Sequence, residues 1–212
     1  MKKAILDLDG TLLNSKKRHE LVLRDALKQY ELEHLDISDY MCLKESGLST
    51  KSYLIKVKNI NKEKVELITN WWVEHIEDDY YLKNDIWYED SREFVDFLHS
   101  NSYEIHILTS RKNKKSTTEM IKKFDRNNNI KLINIVNPLK AIEEKKNYIN
   151  NMNKEDVYIG DSEVDYYANK EKEINLYLLN RGFRNKDYWN KLNIKTYDSL
   201  KEIRKFLIKT NN

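Results

Sequence analysis

Two acidic residues that end a short apolar run near the start of the chain constrain the fold more than any other feature. Residues 4–6 have the pattern of a buried strand, Asp7 and Asp9 follow where that strand must end, and Gly10 comes next. Gly10 is free to adopt a positive φ or to let the backbone approach a ligand closely. Unpaired carboxylates at the end of a buried strand are costly unless something neutralises them. The arrangement indicates a cation between the acids; the alternative is a plain strand-to-turn role for Asp9 and Gly10.

The rest of the chain divides into a helical block and a block in which strands and helices alternate. Residues 15–85 carry apolar side chains at helical spacing and no convincing strand pattern. Beyond them, short β-rich runs alternate with helices; the runs lie at residues 104–109, 132–136, 157–160 and 176–179. With the first strand, this alternation predicts an α/β fold, a Rossmann-like parallel sheet of about five strands with helices on both faces. We expect a core domain at residues 1–14 and 86–212 and an inserted helical domain at residues 15–85.

Composition narrows the class of protein without pointing to a partner. The 212 residues include 40 % hydrophobic residues, enough for a packed core, and 38 basic and 35 acidic side chains leave a net charge of only +3. This balance argues neither for nor against nucleic acid. The densest basic run, Arg111 to Lys115, is short and predicts the solvated start of a helix rather than a nucleic-acid site.

Cysteine use and hydropathy suggest where the protein works. The single cysteine, Cys42, excludes an internal disulfide and fits a reducing compartment, and we expect it to be buried. No segment approaches the ~20 apolar residues of a membrane span. The sequence therefore predicts a soluble, cytoplasmic protein that acts without a membrane or a nucleic acid.

Polar residues follow several of the predicted strands. In an open parallel sheet, ligands bind beyond the carboxyl ends of the strands, so residues just after each strand are the candidates for a site. In chain order these candidates are two acids, a hydroxyl pair, a cation and two further acids: Asp7, Asp9, Thr109, Ser110, Lys140, Asp161 and Asp165. We expect all of them to converge on one rim of the sheet.

These candidates resemble the four signature motifs of the haloacid dehalogenase (HAD)-like hydrolase superfamily, in the same order. The four segments are Asp7-Leu8-Asp9-Gly10-Thr11, Ile107-Leu108-Thr109-Ser110, Lys140 and Gly160-Asp161-Ser162-Glu163-Val164-Asp165. The helical insertion between the first two motifs resembles the α-helical cap of the first type. The resemblance covers the whole chain and implies the phosphatase branch of the superfamily.

The resemblance also implies a role for each candidate. Asp7 is expected to attack phosphorus and form an aspartyl-phosphate, while Asp9 protonates the leaving alcohol and later takes a proton from water. Thr109, Ser110 and Lys140 are expected to bind the phosphoryl oxygens. The implied cofactor is Mg²⁺, a hard ion that takes oxygen ligands. Its expected ligands are Asp7, Asp9 through its backbone carbonyl, Asp161 and Asp165, with a role for Asp165 in orienting a metal-bound water or the lysine as the alternative.

Three lysines of one predicted helix compete for the third motif. We expect the helix to begin just after Pro138, which puts Lys140 in its first turn, nearest the carboxyl ends of the strands. Lys145 lies five residues further, roughly 7–8 Å along the axis at 1.5 Å per residue, and Lys146 further still. This argument selects Lys140 and predicts little effect from the other two.

The predicted function is a Mg²⁺-dependent phosphatase of a small phosphorylated metabolite, taken to act as a monomer. A phosphomutase like beta-phosphoglucomutase and a nucleotidase use the same site and stay open as alternatives. A dehalogenase lacks the second acid, so Asp9 argues against it. A phospho-accepting signalling or binding module is a remote alternative, because receiver domains of that kind lack a helical insertion after the first strand.

Overall fold

The computed structural model describes residues 1–172 and 174–210. Within them the strands are β1 (Lys3–Leu6), β2 (Leu13–Asn14), β3 (Ile86–Trp87), β4 (Glu104–Ser110), β5 (Ile130–Val136), β6 (Val157–Gly160), β7 (Asn175–Leu179) and β8 (Thr196–Tyr197). The helices are α1 (Lys16–Gln29), α2 (Tyr40–Glu45), α3 (Thr50–Lys56), α4 (Lys62–His75), α5 (Asp79–Leu82), α6 (Ser91–Ser100), α7 (Lys114–Phe124), α8 (Ala141–Ile149), α9 (Glu163–Asn169), α10 (Lys186–Lys191) and α11 (Leu200–Thr210). A 3₁₀ turn, Pro138–Lys140, precedes α8.

Six of the strands form one parallel sheet in the order β5-β4-β1-β6-β7-β8. The predicted α/β fold is therefore confirmed, with the two-residue strand β8 as a sixth member of the sheet. β1 lies in the middle, so its carboxyl end has neighbours on both sides. The two remaining strands, β2 and β3, pair antiparallel where the chain enters and leaves the helical insertion.

Side chains of β1 alternate between the two faces of the sheet, as a strand requires. Ala4 and Leu6 belong to a hydrophobic core that also contains Phe94 of α6 and Leu200 of α11. Ile5 faces the opposite way, into a second core that contains residues of α8 and α9. Helices therefore cover both faces of the sheet, as predicted.

The helical insertion has a hydrophobic core of its own. Leu23 and Leu27 of α1 contact Tyr53 of α3 and Ile68 of α4 in a cluster separate from those of the sheet. This separate core supports the predicted domain boundaries at residues 15 and 85, which remain a prediction. Cys42 of α2 is exposed, so the expectation that it is buried was wrong. None of the described helices is long and apolar enough to cross a bilayer.

Strands β4 and β5 extend further at their carboxyl ends than β1 does. Leu6, the last residue of β1, pairs with Ile107, and Ile107 pairs with Ile133. The pairing of β4 with β5 continues to Ser110 and Val136, three residues beyond that level, or about 10 Å at ~3.3 Å per residue. β4 and β5 thus rise above the end of β1 and form one wall of a depression at the rim of the sheet.

Candidate active site

The carboxyl ends of β1, β4 and β6 meet at a cavity of about 530 Å³. Its lining comes from the sheet rim and from the helical insertion: Asp7, Asp9, Arg18, His19, Trp72, Val73, Ile76, Glu77, Thr109, Ser110, Arg111, Lys112, Asn137, Pro138, Leu139, Ala141, Lys145, Ser162, Val164 and Phe183. The cavity is therefore closed on one side by the core and on the other by the insertion. Of the residues that the sequence selected, Asp7, Asp9, Thr109 and Ser110 line the cavity, whereas Lys140, Asp161 and Asp165 do not.

Three carboxylates form the floor of this site. Asp7, Asp161 and Asp165 each offer an oxygen, and these oxygens lie within 4.8 Å of one another. All three residues are buried. Lys145 donates from Nζ to Oδ1 of Asp7 and to Oδ1 of Asp165, at 2.7 Å in both cases. The convergence predicted for the acids of β1 and β6 is thus present.

Lys145, rather than Lys140, is the lysine that lies among the acids. Lys145 is 2 % exposed and bridges two carboxylates. Lys140 ends the 3₁₀ turn, is exposed and does not line the cavity. Lys146 lies on the outside of α8 and pairs with Glu171. Helix geometry selected Lys140, but the structure places Lys145, the competing candidate, among the acids. Which lysine binds phosphate stays a prediction.

The extra length of β4 and β5 at their carboxyl ends explains why helix geometry selected Lys140 and not Lys145. The chain leaves β5 about 10 Å above the end of β1, at a distance set by the three extra residue pairs that end at Val136. Because β5 and β6 are parallel, α8 must run back toward the amino ends of the strands. Five residues of helix return about 7.5 Å, which carries Lys145 down to the level of Asp7 and leaves Lys140 above the rim.

Both oxygens of Asp165 are occupied by protein donors. Oδ1 accepts from Lys145 and from the hydroxyl of Tyr158, and Oδ2 accepts from the backbone N–H groups of Asp161 and Ser162 and from the Ser162 hydroxyl. These bonds hold the pKa of Asp165 below its usual value against the effect of burial, which would raise it. The geometry favours the alternative role of Asp165, that of orienting the lysine, over direct contact with a metal.

Close backbone approaches hold the carboxylate of Asp161. The amide of Phe183 donates to Oδ2 at 2.7 Å, and the hydroxyl of Thr11 donates to Oδ1 at 3.3 Å. A Cβ atom on Gly10 would lie 2.1 Å from Oδ2 of Asp161, and one on Gly182 would lie 2.0 Å from it. Gly10 also has φ +84°, so both the space and the backbone conformation at this position require glycine.

The floor of the site carries more negative charge than its lysine neutralises. Burial raises the pKa of Asp7 to about 7, although Lys145 opposes the shift, and burial together with Asp7 raises the pKa of Asp161 well above its usual value. When ionised, three buried carboxylates and one ammonium group have a net negative charge, which a bound cation would offset. An oxygen-only donor set of this kind fits a hard cation such as Mg²⁺. Asp7 accepts one protein hydrogen bond and Asp161 one on each oxygen, against five on Asp165, so Asp7 and Asp161 have more lone pairs to offer a cation.

Asp9 lies beside this floor and is held by two arginines. Arg111 donates from Nε to Oδ2 and from Nη2 to Oδ1 of Asp9, at 2.8 and 2.7 Å, and Arg18 donates from Nη2 to Oδ1. Asp85 accepts from both arginines, at 2.9 and 3.0 Å. Burial would raise the pKa of Asp9, but the two guanidinium groups outweigh it and hold that pKa well below its usual range. Since the carboxylate is engaged in this way, only the backbone carbonyl of Asp9 is left for the predicted metal contact.

The hydroxyl pair of the predicted site lies in the cavity wall. Thr109 and Ser110 end β4 and line the cavity, and Thr109 is 1 % exposed. Oγ of Ser110 is buried and finds no hydrogen-bond partner among the described residues. An oxyanion in the cavity would supply an acceptor for it, which is compatible with the predicted phosphate-binding role of both residues.

Sequence reasoning missed the arginine of this site. Arg111 was expected at the solvated start of a helix, yet it is 2 % exposed and contacts Asp9. Its position directly after Thr109-Ser110, at the end of a buried strand, was the available signal. Arg18 follows the first motif on α1, and Asp85 lies where the chain leaves the insertion. No local pattern predicts that these two meet.

Comparison with known proteins agrees with the fold and the motifs. The sequence model of one family, haloacid dehalogenase-like hydrolase, matches residues 4–179. No curated protein matches the chain by sequence.

Several solved structures share the architecture at low sequence identity. A haloacid dehalogenase-like family hydrolase from Streptococcus pneumoniae is 16 % identical with a TM-score of 0.75, over 98 % of each chain. A predicted phosphatase from Clostridium acetobutylicum is 16 % identical with a TM-score of 0.73, also over 98 % of each chain. A predicted phosphoglycolate phosphatase from Haemophilus somnus is 16 % identical with a TM-score of 0.68, over 98 % of each chain. Since the family model spans most of the sequence and includes the acids of β1 and β6, the chain belongs to the haloacid dehalogenase-like hydrolase family.

Proposed function

We propose that the protein is a Mg²⁺-dependent phosphatase that hydrolyses a small phosphorylated metabolite through an aspartyl-phosphate on Asp7. The observation that carries this proposal is the buried floor of Asp7, Asp161 and Asp165 around Lys145, at the carboxyl end of the central strand. The names of similar proteins from Clostridium acetobutylicum and Haemophilus somnus, both predicted phosphatases, support the reaction class.

The first half of the proposed reaction transfers the phosphoryl group to the protein. Asp7 and Asp161 would hold Mg²⁺, which when bound supplies positive charge to the carboxylates and the phosphoryl oxygens. An oxygen of Asp7 attacks phosphorus, a new bond to Asp7 forms, and the bond to the leaving oxygen breaks. Lys145 donates to Oδ1 of Asp7 and so fixes the direction of its other oxygen.

The second half returns Asp7 to its starting state. Once it has turned away from the two guanidinium groups that hold its pKa low, Asp9 can carry a proton and give it to the leaving alcohol. The resulting carboxylate then takes a proton from the water that attacks phosphorus, the bond from phosphorus to Asp7 breaks, and inorganic phosphate leaves. Thr109, Ser110 and Lys145 lie at the cavity and would bind the phosphoryl oxygens. To reach the leaving oxygen, Asp9 must give up at least one of its bonds to Arg18 and Arg111.

The phosphomutase and nucleotidase alternatives use the same floor and differ in what accepts or carries the phosphoryl group. In a phosphomutase the group returns from Asp7 to a hydroxyl of the substrate rather than to water. A dehalogenase has no use for an acid at the position of Asp9. The proposal of a phosphatase therefore depends on the acceptor being water, and on release of inorganic phosphate.

Phosphate release tests the proposal directly. Purified protein is incubated with p-nitrophenyl phosphate and with a panel of phosphorylated metabolites, nucleotides included, in Mg²⁺ and again after exhaustive chelation. We expect inorganic phosphate to appear in Mg²⁺ and to cease on chelation. Absence of release from every compound would overturn the proposal, and isomerisation of a sugar phosphate without release would assign a phosphomutase instead.

We also propose that the protein acts in the cytoplasm on its metabolite without a nucleic acid or a membrane. The near balance of basic and acidic side chains and the single cysteine support this setting.

A further inference from the structure

The two arginines on Asp9 lie in the catalytic cavity, but no step of the proposed reaction uses them. Both are buried, at 3 % exposure for Arg18 and 2 % for Arg111, and both line the cavity beside Asp7. Guanidinium groups are not nucleophiles, acids or bases at neutral pH, so their contribution must be to bind or to position. Their present partners are the carboxylates of Asp9 and Asp85.

Arg111 presents its Nε and Nη2 edge to Asp9 as a fork. The two bonds, at 2.8 and 2.7 Å, are the bidentate arrangement in which arginine recognises a carboxylate or a phosphate. Oδ1 of Asp9 also accepts from Arg18, so both oxygens of Asp9 are engaged. A carboxylate held in this way cannot at the same time approach a leaving oxygen. When Asp9 turns to the substrate, Nε of Arg111 loses its partner and Nη2 keeps only Asp85.

Several other polar groups that line the cavity near Asp9 have no hydrogen-bond partner among the described residues. Nη1 of Arg111 and Nε1 of Trp72 are buried donors with no hydrogen-bond partner among the described residues. Nδ1 of His19 and Oγ of Ser110 are buried there without a partner as well. Buried donors of this kind are costly unless a ligand satisfies them. The cavity lining around Asp9 is therefore suited to a ligand that supplies acceptor oxygens in addition to those of the phosphate at the carboxylates.

We infer that Arg18 and Arg111 bind a second oxyanion of the substrate, which takes the place of the Asp9 carboxylate on the fork of Arg111. The substrate class is then a phosphate monoester that carries a carboxylate or a second phosphate within a few bonds of the ester oxygen. The short separation follows from the direct contact between Arg111 and Asp9, because Asp9 itself must lie next to the leaving oxygen. This inference rests on the proposed phosphatase function and names its substrate class.

Three esters of nearly equal size test the inference in the unaltered protein. 2-Phosphoglycolate carries a carboxylate, ethane-1,2-diol bisphosphate carries a second phosphate, and 2-hydroxyethyl phosphate carries a neutral hydroxyl in the same place. We expect kcat/KM for at least one charged ester to exceed that of the neutral ester by about 10- to 100-fold, the scale of a charge-assisted bidentate contact. The better of the two charged esters identifies the second group as carboxylate or phosphate.

Two substitutions test whether a preference for the charged esters depends on the Nε and Nη2 groups of Arg111. Arg111→Lys keeps the positive charge and loses the bidentate edge, so the ratio of charged to neutral kcat/KM should fall about tenfold, mainly through KM of the charged ester. Lys112→Gln is the matched control, since Lys112 lines the same cavity but donates from Nζ to the carbonyl of Val73. In this control the ratio of charged-ester to neutral-ester kcat/KM should stay within about twofold of its value in the unaltered protein.

The outcomes separate the inference from the function on which it rests. Hydrolysis of p-nitrophenyl phosphate with equal kcat/KM for all three esters would overturn the inference and leave the phosphatase intact. An equal fall of the ratio in Arg111→Lys and Lys112→Gln would also overturn it, because a general positive potential would then explain the preference. No phosphate release from any of the compounds would overturn the proposed function, and the inference with it.

Discussion

Lys145 takes part in two ion pairs at once, and both of its partners are buried. Lys145 contacts two of the three carboxylates and its single positive charge offsets one of them, so removing it leaves the buried acids without any cation from the described residues of the protein. The ammonium group therefore orients Asp7 and, under the proposed function, would also bind a phosphoryl oxygen. This makes Lys145 the residue at which a single substitution is most informative.

We predict that Lys145→Gln lowers kcat by about 10²–10³-fold, the scale of losing one donor to the transition state. Lys140→Gln is the matched control and should change kcat by less than about twofold, because Lys140 is exposed and lies outside the cavity. Steady-state kinetics with p-nitrophenyl phosphate, with thermal unfolding to confirm the fold, measure both. Equal activity of the two variants would contradict the assignment.

We predict that Asp7→Asn abolishes turnover while the fold survives. The amide keeps the shape of the carboxylate and removes the nucleophilic oxygen, and it eliminates a buried acid whose pKa burial has raised to about 7. Phosphate release should drop below detection, and the melting temperature should not fall. Turnover within tenfold of the unaltered protein would exclude Asp7 as the nucleophile.

At the scale of elements, the start of α7 connects the core to the helical insertion. Glu77, which follows α4, accepts from the backbone N–H groups of Lys112 and Asn113 at 2.7–2.8 Å. These amides lie at the positive end of the α7 dipole, where a carboxylate is favoured. Glu77 thus fastens the insertion over the cavity at the helix that follows β4.

We predict that Glu77→Ala loosens this contact and leaves the chemistry of the floor in place. Amide hydrogen exchange at Lys112 and Asn113 should become faster, and kcat/KM for the best substrate should fall about fivefold, since a partly exposed charge-assisted bond contributes on the order of 1 kcal/mol. Glu74→Ala is the control, because Glu74 is exposed on α4 and its side chain pairs with no described residue. Unchanged exchange in Glu77→Ala would mean that the contact does not hold the insertion.

At the scale of the whole molecule, protons would compete with the proposed Mg²⁺ for the floor of the site. Burial raises the pKa of Asp7 from 3.8 to about 7 and that of Asp161 in the same direction. Between about pH 4 and pH 7 the folded chain therefore binds more protons at these acids than the unfolded chain does. Their contribution to the free energy of unfolding decreases as the pH rises. Mg²⁺ needs the ionised carboxylates, so its affinity should rise over the same range.

We predict that the increase in melting temperature caused by Mg²⁺ is larger at pH 8 than at pH 5, by about 3 °C, which corresponds to ~1 kcal/mol for a chain of this size. Scanning calorimetry with and without Mg²⁺ at each pH measures the difference. His19, whose pKa burial lowers, affects both scans alike and cancels. Asp161→Asn should remove most of the increase at pH 8, and an equal increase at both pH values would contradict the prediction.

The sequence by itself determined the sheet, the helical insertion and the acids of the floor, because these depend on local patterns. Strand and helix periodicity is a property of neighbouring residues, and Asp7, Asp9 and Asp161 follow strands whose ends must meet at one edge. The hydroxyl pair at the end of β4 could be selected for the same reason. Chain order and hydropathy were sufficient for this part of the site.

Only the tertiary structure decided which cations meet these acids. Lys145 reaches Asp7 because β4 and β5 extend three residues beyond β1, and this offset is a property of strand register that a single sequence does not display. Arg18 and Arg111 meet Asp9 because the insertion folds back over the rim, which brings together residues 93 positions apart in the chain. Long flexible side chains have many possible partners in the sequence, and the packing of the sheet and of the helical insertion decides which acids each of them meets.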